Sequence, residues 1–468
     1  MEAVIEPGGE ARLPIGVTII LGALTFAALR QGAYHQWQHQ VFAVLAIFGA
    51  AALVHVTLTS SLTRIIGFAT IPLLASTLLS TLLANDRSNA SSTFLLIGLI
   101  AAGALAGAMT PRDHVPTLAA ALIGIALVVA ATAIWGVASH SAPWGRVTAG
   151  VWRGSSSLTY ANAAAAILGP ITLLAMTKAA HTTSRWYAVA GVFTGIGFAS
   201  TQSRGGALVF VLVGLFLIAH LGLRRFATTV LPMLLGIVIG LPLLMLRASV
   251  DAEPAPLLVV ALLVVGLSAT AVTWPYREHL PKPHLLLAAL CASVLGIAAR
   301  TPLGEALSAR LSIRGGTRFG GPDAGVLLGD RSNTWRVAFG EFQERPIFGH
   351  GPGELELRWI EEGRSFSTTF VHNEYLELAA THGLVGVVAL LASVVFLSRV
   401  LRFDATTAPF ALALLAFMAH SAFDFLWHIP ILPVFFATTL GAWLVLSDLS
   451  GLRTFKQIHQ QTIEKTYA

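Results

Sequence analysis

Charged residues are scarce in this chain. Only 11% of its 468 residues are Asp, Glu, Lys or Arg, against roughly 25% in soluble domains. Hydrophobic residues make up 55%, and the mean hydropathy is +0.74. So little charge excludes an ordinary soluble domain and indicates an integral membrane protein.

Cysteine is nearly absent as well. The single residue of this type, Cys291, lies in an apolar run, which excludes an intramolecular disulfide and a cysteine-based metal site. A basic leader is also missing, because the opening segment MEAVIEPGGEARLP is acidic. The apolar run that follows is about as long as a full span, so we expect a first transmembrane helix and no cleaved signal peptide.

Long hydrophobic runs dominate the rest of the chain. A membrane-spanning helix needs about 20 mostly apolar residues. About fourteen runs qualify, which predicts an all-α polytopic membrane protein with about 12–14 transmembrane helices. Their approximate positions are 13–29, 40–57, 65–84, 93–110, 116–136, 160–177, 186–201, 205–222, 227–246, 256–274, 284–299, 383–398, 407–423 and 430–447.

The net charge of +6 follows the asymmetry of membrane loops, which argues against a nucleic-acid partner. With the N-terminus inside, every lysine faces the cytoplasm. The short outer loops then carry arginine alone, at positions 30, 87, 146, 153, 204, 247 and 300. One reading is codon bias in an Ala- and Gly-rich genome. The other is that guanidinium groups bind phosphate oxygens in a bidentate manner.

A polar segment interrupts the spans. It runs from about residue 301 to 383 and contains 8 of the 25 arginines. We expect transmembrane helices over 1–300, an extracytoplasmic loop domain with short helices over 301–382, the last three spans over 383–447 and a cytoplasmic tail over 448–468. Aqueous chemistry is expected in the loop domain.

Four motifs fall on the predicted outer side. They are RVTAGVWRGSSSLTYANAAAA from Arg146, a Gly/Ser-rich loop leading into a helix; STQSRGGALV around Arg204; GDRSNTWRVAFGEFQERPIFGHGPGELE; and FVHNEYLELAATHGLVG. In this order, and with the late HSAFDF run, they resemble the O-antigen ligase and polymerase superfamily of bacterial envelope enzymes. The similarity extends over about residues 146–447.

The resemblance implies a metal-independent, GT-C-like glycosyltransferase without a cofactor. Such an enzyme moves a glycan from an undecaprenyl-diphosphate-type carrier to an acceptor hydroxyl, on the periplasmic face of the bacterial inner membrane. The implied partners are the lipid-linked donor, a glycan, lipid or protein acceptor, and the bilayer. Ligation, repeat-unit polymerisation and protein O-glycosylation all fit, and ligation or polymerisation is favoured because no appended soluble domain is present.

His372 is the candidate base of this transfer. It opens what the sequence predicts to be a short helix, where the macrodipole disfavours imidazolium and leaves the ring able to accept a proton. A role in orienting substrate is the alternative.

The arginines are the candidate diphosphate ligands. Arg204 lies between two spans beside Gly205 and Gly206, which would allow close approach of an anionic head group. Arg331 matches the arginine that precedes the tryptophan of the family pattern, and we favour it over Arg336. The full set of predicted diphosphate ligands is Arg153, Arg204, Arg331 and Arg336.

The other candidate substrate-binding residues are polar or aromatic neighbours of these groups. They are Tyr160, Asn162, Trp335, Asn373, Tyr375 and Asp424. Asp424 is expected to line the acceptor path. The GHGPGE run lacks the Lys-Ser/Thr pair of a P-loop and predicts a tight turn. No carboxylate-histidine spacing supports a metal site at His350, His372 or His382.

A transporter or flippase is the rival class, because many helices and a basic cavity fit it equally well. Transporters place ionisable residues near the midplane, often in two related halves. Here no clear repeat is found and the ionisable residues fall mostly at span ends, which favours an enzyme. A scaffold role in envelope assembly is a third reading.

Overall fold

The computed structural model describes residues 13–57, 61–83, 87–288, 329–353, 355–361 and 364–447. Most of the predicted span at 284–299, the beginning of the polar segment and the predicted tail at 448–468 lie outside these residues. Every other predicted span coincides with a helix.

The helices of the spans follow the hydropathy pattern closely. Their bounds are α1 (Ile15–Leu29), α2 (Gln36–Thr57), α3 (Ser61–Leu83), α4 (Ala90–Ala108), α5 (Val115–Ala138), α6 (Ala161–His181), α7 (Arg185–Thr201), α8 (Arg204–Leu221), α9 (Leu223–Leu246), α10 (Pro256–Thr273), α12 (Glu374–Val400), α13 (Ala408–His420) and α14 (Ile431–Leu446), with α11 (Gly329–Glu344) in the polar segment.

Eight helices in the described residues are long and apolar enough to cross a membrane. Three further apolar helices, α1, α13 and α14, are shorter. Together with the small share of strand, this confirms the predicted all-α polytopic membrane fold.

Two β-hairpins stand where the sequence predicted only loops and short helices. Strands β1 (Gly145–Thr148) and β2 (Val151–Gly154) form the first antiparallel pair, and β3 (Leu357–Glu361) and β4 (Arg364–Thr368) form the second. Ala149 and Gly150 join the first pair and both have positive φ, as a type I′ hairpin turn requires. Four- and five-residue strands are too short to show a reliable alternation, which is why the expectation missed them.

Helix α6 is the buried centre of the bundle, since 89% of the residues in its apolar stretch are buried inside the protein. Four consecutive alanines, Ala163 to Ala166, are fully buried. Small side chains let neighbouring helices approach closely where lipid supplies no hydrophobic drive. The tight packing fixes the beginning of α6, which carries Tyr160 as its N-cap and Asn162 in its first turn.

Helix α12 is broken at Gly383, whose φ of 64° and ψ of −161° are not helical. The loop at 346–351 satisfies the backbone around the break: Leu384 N donates to Pro346 O over 2.8 Å, and Gly351 N donates to Thr381 O over 2.9 Å. Ser80 of α3 donates its hydroxyl to Thr381 O as well. The predicted short helix opened by the HNEY motif is therefore the first segment of a longer kinked helix, and the GHGPG turn holds the kink.

Helices α4 and α14 pack against each other through glycine. A Cβ added at Gly107 would overlap the carbonyl oxygen of Thr438, and one added at Gly441 would overlap that of Ala104. Gly98 lies on α4, as Gly107 does, and no atom lies within 4 Å of the position where its Cβ would be.

We therefore expect Gly107→Ala and Gly98→Ala to change stability in opposite directions. Gly107→Ala should lower the free energy of unfolding by about 1–3 kcal/mol through overpacking. Gly98→Ala should leave it unchanged or raise it by up to about 1 kcal/mol, since alanine is the better helix former. Thermal unfolding of the two purified variants in detergent measures this, and equal melting temperatures would contradict the close contact.

Candidate functional site

The carboxylate of Asp424 is the centre of a buried polar cluster. Its side chain is only 1% exposed and lies in the connection between α13 and α14. Tyr160 donates its hydroxyl to both carboxylate oxygens over 2.9 Å, and the Asn162 amide donates to Oδ2. The amide of Phe425 donates to Oδ1. The beginning of α6 is thus bonded to the connection between α13 and α14 through the side chain of Asp424.

His372 is bound to the same carboxylate. Its Nδ1 lies 2.9 Å from Asp424 Oδ1. Because a carboxylate accepts, Nδ1 carries the proton and the lone pair is left on Nε2. The ring also packs edge-on against Phe425, with 4.9 Å between the centroids. The side chain is 28% exposed, so Nε2 remains reachable.

The backbone of His372 has a φ of 56°, in the left-handed region that residues other than glycine seldom adopt. The contacts around it hold this conformation. Asn373 caps α12, its Oδ1 accepting from the amides of Tyr375 and Leu376 over 3.1 Å. Glu374 N donates to Ser421 O over 3.0 Å. Strained backbone that its surroundings hold in place is common at functional sites.

Helix α11 brings Arg331 to the cluster. The guanidinium Nη2 lies 3.5 Å from Asp424 Oδ2, and the side chain is 19% exposed. One turn further, Thr334 Oγ1 donates to Val371 O over 3.3 Å. The helix is therefore attached both to the carboxylate and to the residue that precedes His372.

Arg153 reaches the cluster from β2. It donates from Nε to Thr201 O over 2.9 Å and from Nη2 to Asn162 Oδ1 over 3.0 Å. Burial lowers its pKa; Tyr160 and Asp424 act in the opposite sense, and the charges of Arg331 and Arg204 lower it further. The guanidinium of Arg153 thus lies close enough to those of Arg331 and Arg204 to be repelled by both.

The ionisation of the cluster follows from its contacts. Burial raises the pKa of Asp424, but the hydrogen bond from His372 and the positive charge of Arg331 outweigh it and leave the pKa below its usual value. Burial and then the neighbouring Asp424 raise the pKa of Tyr160 well above its ordinary value. Asp424 is therefore a carboxylate and Tyr160 a neutral donor.

The structure brings together most of the predicted site residues, from six separated parts of the chain. Those in or beside the cluster are Arg153, Tyr160, Asn162, Arg204, Arg331, His372 and Asp424. Arg204 is exposed at the beginning of α8.

The sequence had suggested that Gly205 and Gly206 leave room for a head group, but the space beside them is occupied. Would-be Cβ atoms there lie 3.1 Å from Phe423 Cβ and 3.2 Å from His420 Cε1 respectively. The glycines admit neighbouring side chains of the protein itself.

Four predicted residues lie apart from the cluster or are used within the protein. Arg336 is exposed and donates to Asn333 Oδ1 over 3.4 Å, so it points away from Arg331. Trp335 packs against the core beneath α11. Tyr375 donates its hydroxyl to Met418 O over 2.6 Å, and Asn373 is occupied as the helix cap.

Sequence reasoning missed Phe425, whose ring packs against His372, and Phe370, which stacks on Phe425. Phe425 adjoins Asp424 in the HSAFDF run, but 25 phenylalanines are spread along this chain, so the residue type carried no signal. Only the fold distinguishes these two rings from lipid-facing ones.

Two groups of described residues have their ligand atoms within 4.8 Å of one another, close enough for a metal ion. They are Glu341, Glu344 and His350, and Glu374, Glu377 and His428. Both contain histidine hydrogen bonds within the protein: His350 Nε2 to Glu341 O over 2.9 Å, and His428 Nε2 to Glu377 Oε1 over 2.6 Å. The second spacing is invisible in the linear motifs, since His428 is distant in sequence from its partners. The first lies within the GEFQERPIFGH run, so the expectation that no carboxylate-histidine spacing exists at His350 was wrong.

The cluster combines two chemical capacities. Arg331 contacts the carboxylate of Asp424, and Arg153 lies near both Arg331 and Arg204, so positive charge exceeds negative charge here and suits an anion of more than one charge. The adjacent Nε2 of His372 is suited to accept a proton.

We expect Asp424→Ala to destabilise the protein. It leaves the hydroxyl of Tyr160 and the amide of Asn162 without their acceptor, and removing one partner of a buried ion pair costs about 3–5 kcal/mol. Thermal unfolding should show a large decrease in melting temperature, whereas Asp251→Ala, at an exposed aspartate, should show none. Similar melting temperatures for the two variants would contradict the central role of Asp424.

The stabilisation by Asp424 should also depend on pH. Its folded pKa lies below the unfolded value, so its contribution is fully present above the unfolded pKa of about 3.9 and is lost as pH falls through the folded pKa. The melting-temperature gap between wild type and Asp424→Asn should therefore narrow on acidification below about pH 4. A melting-temperature gap that stays constant from pH 7 to pH 3 would contradict the lowered pKa of Asp424.

Part of the chain is similar to a known protein family. Residues 255–391 match the family model described as O-Antigen ligase. The match covers less than a third of the chain and includes Arg331 and His372, while Arg153, Arg204 and Asp424 lie outside it. No curated protein matches the chain. The match over residues 255–391 confirms the resemblance of this chain to the O-antigen ligase superfamily and supports a membrane glycosyltransferase-like function.

Proposed function

We propose that this protein is an O-antigen ligase-like glycosyltransferase. It moves an oligosaccharide or polysaccharide from an undecaprenyl-diphosphate-type carrier to an acceptor hydroxyl, on the periplasmic face of the bacterial inner membrane. The observation that carries the proposal is the His372–Asp424 pair placed beside three converging arginines. No step requires a metal ion.

The arginines bind the diphosphate of the donor. As the glycosidic bond breaks, negative charge develops on the departing phosphate oxygen, and groups already aimed at that charge lower the barrier. Arg331 and Arg153 are held by the protein, and Arg204 lies exposed at the end of a predicted span, where a lipid-borne head group arrives.

His372 acts as the base. The acceptor hydroxyl oxygen forms a bond to the anomeric carbon of the donor glycan, and its proton moves to Nε2. The bond between the anomeric carbon and the phosphate oxygen breaks, and the electron pair leaves with undecaprenyl diphosphate. A positioned base of this kind contributes about 10²–10⁴-fold to a rate.

Asp424 is the positioning residue of this base. It fixes the tautomer of His372 through the 2.9 Å contact to Nδ1 and stabilises the imidazolium that forms when Nε2 gains a proton. Its hydrogen bonds from Tyr160 and Asn162 hold the carboxylate itself.

Repeat-unit polymerisation and protein O-glycosylation use the same donor chemistry and differ in the acceptor alone. A panel of lipid, glycan and peptide acceptors in one assay separates them. The lipid-linked glycan flippase is disfavoured, because the ionisable cluster lies at helix ends and in connections rather than within the spans.

We expect His372→Ala to lower the transfer rate by at least about 100-fold, since the proton loses its acceptor. Arg331→Ala should lower it by about 100-fold through lost charge stabilisation. The assay uses purified protein, a polyprenyl-diphosphate glycan and the acceptor panel.

The matched control is Arg336→Ala, on the same helix but pointing away from the cluster, which should retain near wild-type activity. Full activity of His372→Ala would remove the base from the mechanism. Equal losses in Arg336→Ala and Arg331→Ala would remove the specific diphosphate contact. A chelator should leave wild-type turnover unchanged.

A further inference from the structure

We propose that Phe370, Phe425, Glu377 and His428 form a binding subsite for a neutral pyranose ring of the acceptor. This set is called the Phe370 surface below. The inference rests on the proposed function, since it assigns the acceptor side of the same site. The predicted site residues include none of these four.

Three aromatic rings form a column beside the base. Phe425 stacks on Tyr160, with centroids 5.1 Å apart and planes 20° apart, and on Phe370, at 4.3 Å and 18°. Tyr160 is held at the inner end by Asp424, and Phe370 at the other end is half-buried. The column therefore runs from the buried carboxylate to an accessible ring.

A polar pair flanks the accessible ring. The His428 ring lies edge-on to Phe370 at 5.5 Å, and its Nε2 is 2.6 Å from Glu377 Oε1. The side chain of His428 is 38% exposed and that of Glu377 is 13% exposed. An aromatic face takes the apolar C–H face of a sugar, and carboxylate and imidazole groups bind its hydroxyls.

Charge is divided between the two neighbourhoods of the site. Arg331 contacts Oδ2 of Asp424 and Arg153 contacts Asn162, whereas the Phe370 surface contains the carboxylate of Glu377. Carboxylates repel a diphosphate, so the donor head group belongs with the arginines. A neutral sugar meets no such repulsion beside Phe370.

The position of the surface selects the acceptor as its ligand. The acceptor hydroxyl must reach Nε2 of His372, and the His372 ring contacts Phe425, the middle ring of the column. A sugar resting on Phe370 is thus linked to the base through one intervening ring, that of Phe425. Phe425 serves as a positioning residue as well, because it packs against both the base and the sugar-bearing ring.

Binding measured without turnover tests this. Saturation-transfer NMR on the full-length purified protein uses methyl α-glucopyranoside, methyl β-galactopyranoside and N-acetylglucosamine as neutral probes, and inorganic pyrophosphate as the anionic one. At least one sugar should bind to wild type. Phe370→Ala should lower the affinity for that sugar by about threefold to tenfold and leave the affinity for pyrophosphate unchanged.

Arg331→Ala should give the reverse pattern, with weaker pyrophosphate binding and unchanged sugar binding. Phe339→Ala, at an exposed phenylalanine of α11 whose ring neighbour is Phe342, is the matched control and should bind both probes like wild type. Sugar binding that is absent from wild type, or unchanged in Phe370→Ala, would overturn the subsite.

The transfer assay separates this inference from the proposed function. If wild type transfers glycan but Phe370→Ala keeps the wild-type KM for the acceptor, the subsite is wrong and the enzyme stands. If no transfer occurs but sugars and pyrophosphate bind with the expected division, the subsite stands as a binding site and the proposed reaction is wrong. A raised acceptor KM with an unchanged donor KM supports both.

Discussion

The contacts of Asp424 are the constraint on which the rest of the site depends. A buried carboxylate is costly unless several donors surround it, and here a phenol, an amide, an imidazole, a guanidinium and a backbone N–H do so. Each donor comes with its own element, so satisfying one charge fixes α6, α11 and the beginning of α12 relative to the connection after α13. The same bonds that make the charge tolerable also orient His372.

Two departures from regular backbone make this arrangement possible. The break at Gly383 lets the first segment of α12 belong to the polar part of the protein while the remainder runs through the bundle, and the loop at 346–351 supplies the hydrogen bonds that the break removes. The left-handed conformation of His372 then turns the chain just before the Asn373 cap. The polar cluster is thus attached to the beginning of a helix rather than placed within a long loop.

Sequence reasoning reached the helices because hydropathy is local and repeats along every span. It also named Tyr160, Asn162, Arg331, His372 and Asp424, but as separate candidates. That these residues come together at one site cannot be deduced from neighbouring residues in the sequence, since 264 positions separate Tyr160 from Asp424. The short hairpins, the helix break and the ring column beside the base were missed because each depends on contacts between distant segments, which periodicity and composition do not encode.

The order of these groups along the chain has a consequence for biogenesis. Arg153 and Asn162 are synthesised early, Arg331 and His372 much later, and Asp424 only just before the final apolar helix. Until that connection is made, the nascent protein presents several hydrogen-bond donors and guanidinium groups with no carboxylate to receive them. The polar cluster is therefore complete only once that connection is present, and a bundle that lacks α13, α14 and the connection between them contains most of the donors but not the carboxylate that receives them.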